Sequence, residues 1–136
     1  GLGSGGRLDL SMMPTGLGPD TVVIPASEAL SAGDFVNIWN NSGAAGVRKA
    51  DATTAGKEAN GFVLAAVESA ADAVVYFEGS NDQVTGATPG PVFLSTAPGV
   101  ATSAAPSGSG NIVQRIGVAT SAANINFEAG VVVVLA

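Results

Sequence analysis

Glu78 and Glu128 are the residues whose placement comes nearest to chemistry. Each follows an aromatic residue at the end of a β-type run, in Tyr76-Phe77-Glu78-Gly79 and Phe127-Glu128-Ala129-Gly130. Acid–base catalysis without histidine would most simply use two carboxylates in one pocket, and these two are the candidates. A strand-end role accounts for the same residues without any reaction. The chain has 11 acidic residues, and Asp20, Asp34, Asp51, Asp72 and Asp82 fall at turns and strand ends, where solvated carboxylates are the ordinary finding.

The remaining reactive inventory is short. The chain has no histidine and no cysteine. Disulfides, thiol nucleophiles, imidazole or thiolate metal sites and histidine-dependent triads are therefore excluded. A serine or threonine nucleophile would need a lysine base, and neither Lys49 nor Lys57 lies in a nucleophile motif. Gly3-Ser4-Gly5-Gly6 lacks the lysine and following helix of a phosphate-binding loop, and Gly16-Leu17-Gly18-Pro19-Asp20 is broken by proline. Asn40, Asn41, Asn81 and Asp82 offer hard oxygen donors for calcium, but the EF-hand spacing is absent and turn chemistry explains them equally. No catalytic residue, metal or cofactor is expected.

Charge narrows the partners. Five basic against 11 acidic residues give a formal charge of −6, which disfavours nucleic acid and anionic membrane surfaces. The longest apolar runs, residues 62–67 and 131–136, fall far short of the roughly 20 residues of a membrane helix. Arg115 sits inside an otherwise apolar strand. It either meets solvent or pairs with a carboxylate, within the chain or across subunits.

The elements that would hold these groups are strands. Residues 1–20 are rich in glycine, with apolar Leu8, Leu10, Met12 and Met13 ahead of Pro14, and read as an extended arm that docks on something. The chain opens on Gly1, which reads as a processed or partial start, and it shows no basic n-region leading into an apolar h-region. Residues 21–136 read as one β-domain, since runs of Val, Ile, Phe and Tyr alternate with Gly, Pro, Asn, Asp and Ser. A first strand is expected over 21–25. Hairpins follow over 34–39 with 45–49, 62–67 with 73–78, 92–95 with 100–103, and 112–119 with 124–127. A final strand covers 131–135. Residues 50–59 lack a helical apolar stripe. Residues 80–87 and 104–110 read as outward loops. The expected fold is all-β: a compact antiparallel sandwich or barrel with an extended N-terminal arm.

Two strands pose a burial question. Residues 62–67 and 131–135 are apolar on both faces, whereas a one-sided antiparallel sheet alternates. Each must be covered twice, in the middle of a sandwich or at a subunit contact. Only seven aromatic residues supply bulk, so the core is thin and an oligomer would bury more surface.

Several phrases, in order, resemble small tailed-phage virion proteins. Gly6-Arg7-Leu8-Asp9-Leu10-Ser11-Met12-Met13-Pro14-Thr15-Gly16 is similar to their "leucine-aspartate … leucine-proline-x-glycine" step, with Met13 in place of the leucine. Ala32-Gly33-Asp34-Phe35-Val36 resembles their "alanine-glycine-aspartate-aromatic-valine" opening. Thr88-Pro89-Gly90-Pro91-Val92-Phe93-Leu94-Ser95, leading to Pro98-Gly99, is similar to a step in fibre and capsid-decorating β-domains, with Phe93 replacing a tyrosine. Gln114-Arg115-Ile116-Gly117-Val118-Ala119 resembles the strand that follows.

The resemblance runs from about residue 6 to the end of the chain. It implies a capsid decoration protein, of the cement or head-fibre kind, that is non-enzymatic and homotrimeric. Such a protein sits on the outer capsid surface of the virion, with itself and the major capsid protein as partners. On that reading Leu8, Leu10, Met12, Met13, Pro14 and Arg115 are the candidate subunit or capsid contacts. A receptor- or glycan-binding fibre module, using exposed Trp39 and Tyr76, is the alternative. A polysaccharide hydrolase using Glu78 and Glu128 is a third.

Overall fold

The computed structural model describes residues 20–136, which form two antiparallel sheets packed face to face with no helix. The strands are β1 (Thr21–Pro25), β2 (Phe35–Asn41), β3 (Ala44–Lys49), β4 (Gly61–Phe62), β5 (Asp72–Tyr76), β6 (Glu78–Asn81), β7 (Gly90–Leu94), β8 (Ala101–Thr102), β9 (Ile112–Ser121), β10 (Asn124–Glu128) and β11 (Val132–Val134). One sheet has five strands in the order β1-β5-β4-β2-β3. The other runs β6-β10-β9-β7-β8, with β11 also paired to β9. The antiparallel sandwich is thus the architecture. The proposed arm contacts Leu8, Leu10, Met12, Met13 and Pro14 lie outside the described residues.

Local chemistry explains the tight turns. Asn41 pairs with Ala44, so β2 and β3 are joined by Ser42-Gly43 alone. Both have positive φ, 55° and 92°, the conformation that matches a two-residue turn to strand twist. The Asn40 side-chain oxygen accepts from the Gly43 N–H at 2.8 Å. The expected hairpins β7–β8 and β9–β10 form in the same sequential manner.

The hairpin expected over residues 62–67 and 73–78 is corrected. Only Gly61–Phe62 joins the sheet, and it meets β5 through the single pair Phe62↔Tyr76 while pairing with β2 on its other edge. Beyond Phe62 the chain turns to the 30–34 segment instead: Val63 N–H donates to the Asp34 carbonyl, and Leu30 and Val67 exchange both backbone bonds. The other edge of β5 is taken by β1, over five register pairs. The strand expected to end at Glu78 also stops at Tyr76. Phe77 is a corner, after which β6 belongs to the opposite sheet, so Ser80 and Asn81 are strand and not outward loop. Residues 104–110 remain outside strands and mostly exposed.

Burial of the five-stranded sheet is two-sided. Phe35 and Val36 are adjacent, point to opposite faces, and are both fully buried. Phe35 and Phe62 join Val92, Leu94, Ile112, Ile116, Ile125 and Phe127 in the core between the sheets. Val36, Val47, Val63, Val75 and Ile24 form a second core under Ala26 and Leu30. Phe62 and Val63 are covered on both sides within one chain, as their apolar pattern requires. The run of valines at β11 is not.

The 50–59 segment carries no helix. It crosses the sandwich and is stitched to both sheets: Ala50 N–H donates to Phe35, Ala52 N–H to Ser95, and Ile112 N–H to Ala52. Ala50, Ala52 and Ala59 are buried in the inter-sheet core. Their short side chains let backbone approach the strands closely enough for these bonds.

Candidate association face

The six-stranded sheet shows how the sequence divides its two faces. Val92 and Leu94 of β7, Ile112, Gln114 and Ile116 of β9, and Ile125 and Phe127 of β10 point inward and are buried. Pro91, Phe93, Val113, Arg115 and Val118 take the other face. Strict alternation would not put both Arg115 and Val118 outward. Val92 pairs with Gly117 while Phe93 pairs with Arg115, so Ile116 is an extra residue in a β-bulge that resets the alternation. Gly117 is required there: its φ is 143°, and a side chain would collide with the Asn126 carbonyl.

Arg115 is therefore exposed on an outer face whose near neighbours are largely apolar. Phe93 is its cross-strand partner, Pro91 and Val118 pair further along, and Val113 pairs with Val133 of β11. Among the described residues its guanidinium has no ion pair and no hydrogen-bond partner. The other described arginine is used internally. Arg48 lies 4.5 Å over the Trp39 ring and donates from Nε to the Asn37 side-chain oxygen at 2.9 Å. Exposed apolar surface around a single unspent cation is the composition of a contact surface.

The paired glutamates are brought together. Glu78 and Glu128 are direct cross-strand partners at the end of β6 and β10. The two glutamates of the aromatic–glutamate echo in the sequence thus share one ladder rung. Both glutamates are exposed, and neither lines any of the three clefts described. Like charges directly opposite on a ladder repel. A glycosidase needs its carboxylates on either side of an enclosed sugar, and among the described residues this pair is exposed.

The other candidates separate. Trp39 donates from its indole N–H to the Ser27 hydroxyl at 2.9 Å. Tyr76 stacks on Phe62 with centroids 5.4 Å apart. Each ring is half-buried on a different strand, so the two do not form one exposed aromatic platform. Three of the four proposed calcium donors have other partners: Asn40 accepts from the Gly43 N–H, Asp82 accepts from the Gln83 side chain, and fully buried Asn81 donates to the Gly33 carbonyl and accepts from the Gln83 N–H. Among the described residues no group of three or more acidic side chains is arranged to hold a metal.

Among the described residues Asp34 is the one buried carboxylate, and it borders a cleft of about 220 Å³. It accepts from the Ser31 N–H at 2.8 Å and lies 3.7 Å from the Lys49 ammonium. Burial pushes its carboxyl above the usual range. The Ser31 bond and Lys49 pull the other way, and Glu28 adds slightly to the rise. Asp34 therefore holds its proton more tightly folded than unfolded, and stability falls as pH rises from the ordinary carboxylate value through the raised one. The expected outcome is a urea midpoint that declines across that window, with the Asp34 contribution to the slope abolished in Asp34→Asn. A slope identical in both proteins would show that Asp34 does not titrate there.

The fold and this surface define an all-β sandwich whose outer sheet face carries an apolar patch around Arg115, bordered by the polar residues Asn126 and Glu128 of β10. A scan against protein-family models and searches among curated proteins and solved structures returned no match to this chain.

Proposed function

We propose that the chain is a structural component of a tailed-phage virion, a decoration protein of the cement or head-fibre kind. On this reading it binds the outer capsid surface as a homotrimer, with the major capsid protein as its other partner. The observation that carries the proposal is the outer face around Arg115, where Pro91, Phe93, Val113 and Val118 flank a cation with no partner among the described residues. The ordered resemblance of residues 32–36, 88–99 and 114–119 to such proteins adds to it. Its mechanism is burial: an association interface of ordinary size removes about 1,600 Å² from water.

Light scattering tests the self-association. The expected mass is three times the 13.2 kDa of one chain, falling to a single chain in the double variant Arg115→Glu, Val118→Asp. Immunogold labelling of the particles made by the genome that encodes the chain tests the location. Gold on the outer head supports the reading. Gold confined to the tail, or absent from particles, rejects it.

A further inference from the structure

Among the described residues, β11 leaves one edge of its sheet open. Val131, Val132, Val133 and Val134 are 86%, 37%, 53% and 57% exposed. β11 continues the line of β10 along β9, but β6 covers only β10. Leu135 donates its N–H to the Asn111 carbonyl at 2.8 Å. In an antiparallel ladder alternate residues face the partner, so Val133 bonds to β9. Val132 and Val134 turn their N–H and C=O groups to the open side. Two apolar residues whose backbone groups meet no partner among the described residues form a template for a further strand.

We propose that residues 8–12 of the same chain occupy this edge as an added antiparallel strand. Leu8-Asp9-Leu10-Ser11-Met12 alternates apolar and polar residues with the period of a strand. One register sets Met12 opposite Val132 and Leu10 opposite Val134, covering the two valines that lie on the core side of the sheet. Ser11 then stands beside Val133 on the outer side.

The tether fits. Asp20, the first described residue, accepts from the Phe77 N–H. Glu78 follows Phe77 and pairs with Glu128, four residues before Val132. Two ladder spacings and five chain steps bound the Asp20–Val132 separation at about 29 Å. The eight steps from Met12 to Asp20 span up to about 29 Å when extended. The direction also fits, because a segment running toward Asp20 passes β11 antiparallel. Nothing in this pairing requires the virion role above.

Hydrogen exchange followed by NMR on the dilute intact chain tests the occupancy. The Val132 and Val134 amides are expected to exchange roughly tenfold or more slowly than in Leu10→Asp, Met12→Asp, with Val133 unchanged. Equal exchange in the two proteins overturns the proposal. Thiol trapping identifies the donor, since the chain has no cysteine of its own. Leu10→Cys is combined with Val132→Cys or with Val134→Cys, and the dilute protein is oxidised mildly. A disulfide closed within one chain supports the proposal. Thiols left free in both pairs, or disulfides that join two chains, overturn it.

Discussion

Replacing Phe127 by alanine is expected to lower the unfolding free energy by about 3–5 kcal/mol, the range for emptying a buried aromatic site. Total stabilities are of order 5–15 kcal/mol, so this variant approaches the limit of folding. The reason is position. Phe127 belongs to the six-stranded sheet, yet its ring packs on two rings of the other. Its centroid lies 5.6 Å from Phe35 in a stacked arrangement and 5.6 Å from Phe62 edge-on. Phe62 in turn stacks on Tyr76. Removing Phe127 leaves a void that both facing rings, Phe35 and Phe62, border, and the backbone of neither sheet can close it alone. Denaturant melts of Phe127→Ala and Phe127→Leu check this. Leucine refills part of the volume and is expected to recover a substantial part of the loss. A Phe127→Ala loss under 1 kcal/mol would mean that the sheets are held elsewhere.

Gln114→Leu is expected to destabilise by about 2–5 kcal/mol although it makes the core more apolar. Gln114 is fully buried and grips both backbone groups of Ala59: its Oε1 accepts from the Ala59 N–H at 2.8 Å, and its Nε2 donates to the Ala59 carbonyl at 2.9 Å. Ala59 ends the segment that crosses the sandwich. Leucine fills a similar volume but leaves two buried backbone groups without partners, at about 1–3 kcal/mol each. The leucine gains some transfer energy, which offsets part of this. The distinguishing readout is hydrogen exchange at the Ala59 amide, which should accelerate in Gln114→Leu more than amides of β2. A uniform acceleration would indicate general loosening and not the loss of this clamp.

Strand positions were legible because side-chain chemistry encodes them locally. Asn40 to Gly43 announced a turn, and the valine, isoleucine and phenylalanine runs announced their strands. Sheet membership was not legible, since it depends on partners distant in the chain. β5 pairs with β1, and β6 with β10, in neither case the sequential neighbour. The change of sheet at Phe77 falls inside a continuous β-type run with no glycine or proline to mark it. The departure of the chain after Phe62 was hidden because Val63 is apolar for a second core.

The outer face was half legible. Arg115 stood out as a cation in an apolar strand, but its relation to Val118 depends on the bulge at Ile116. Gln114 left a usable trace: the inward series Ile112, Gln114, Ile116 contains one polar member, and a buried amide needs partners. Glu78 and Glu128 were matched by sequence context and prove to be neighbours, though in the open.

The corner at Phe77 has a consequence for synthesis. All five strands of the first sheet lie within residues 21–76, so that half can assemble as soon as it clears the ribosome. Its inner surface, with Phe35 and Phe62, then stays bare until β10 emerges with Phe127, well after Tyr76. β6 waits equally long for β10. Contacts so distant along the chain slow folding. While residues 77–127 are being made, the nascent protein is thus a finished half with a greasy side uncovered, the interval in which a chaperone or a wrong neighbour would find it.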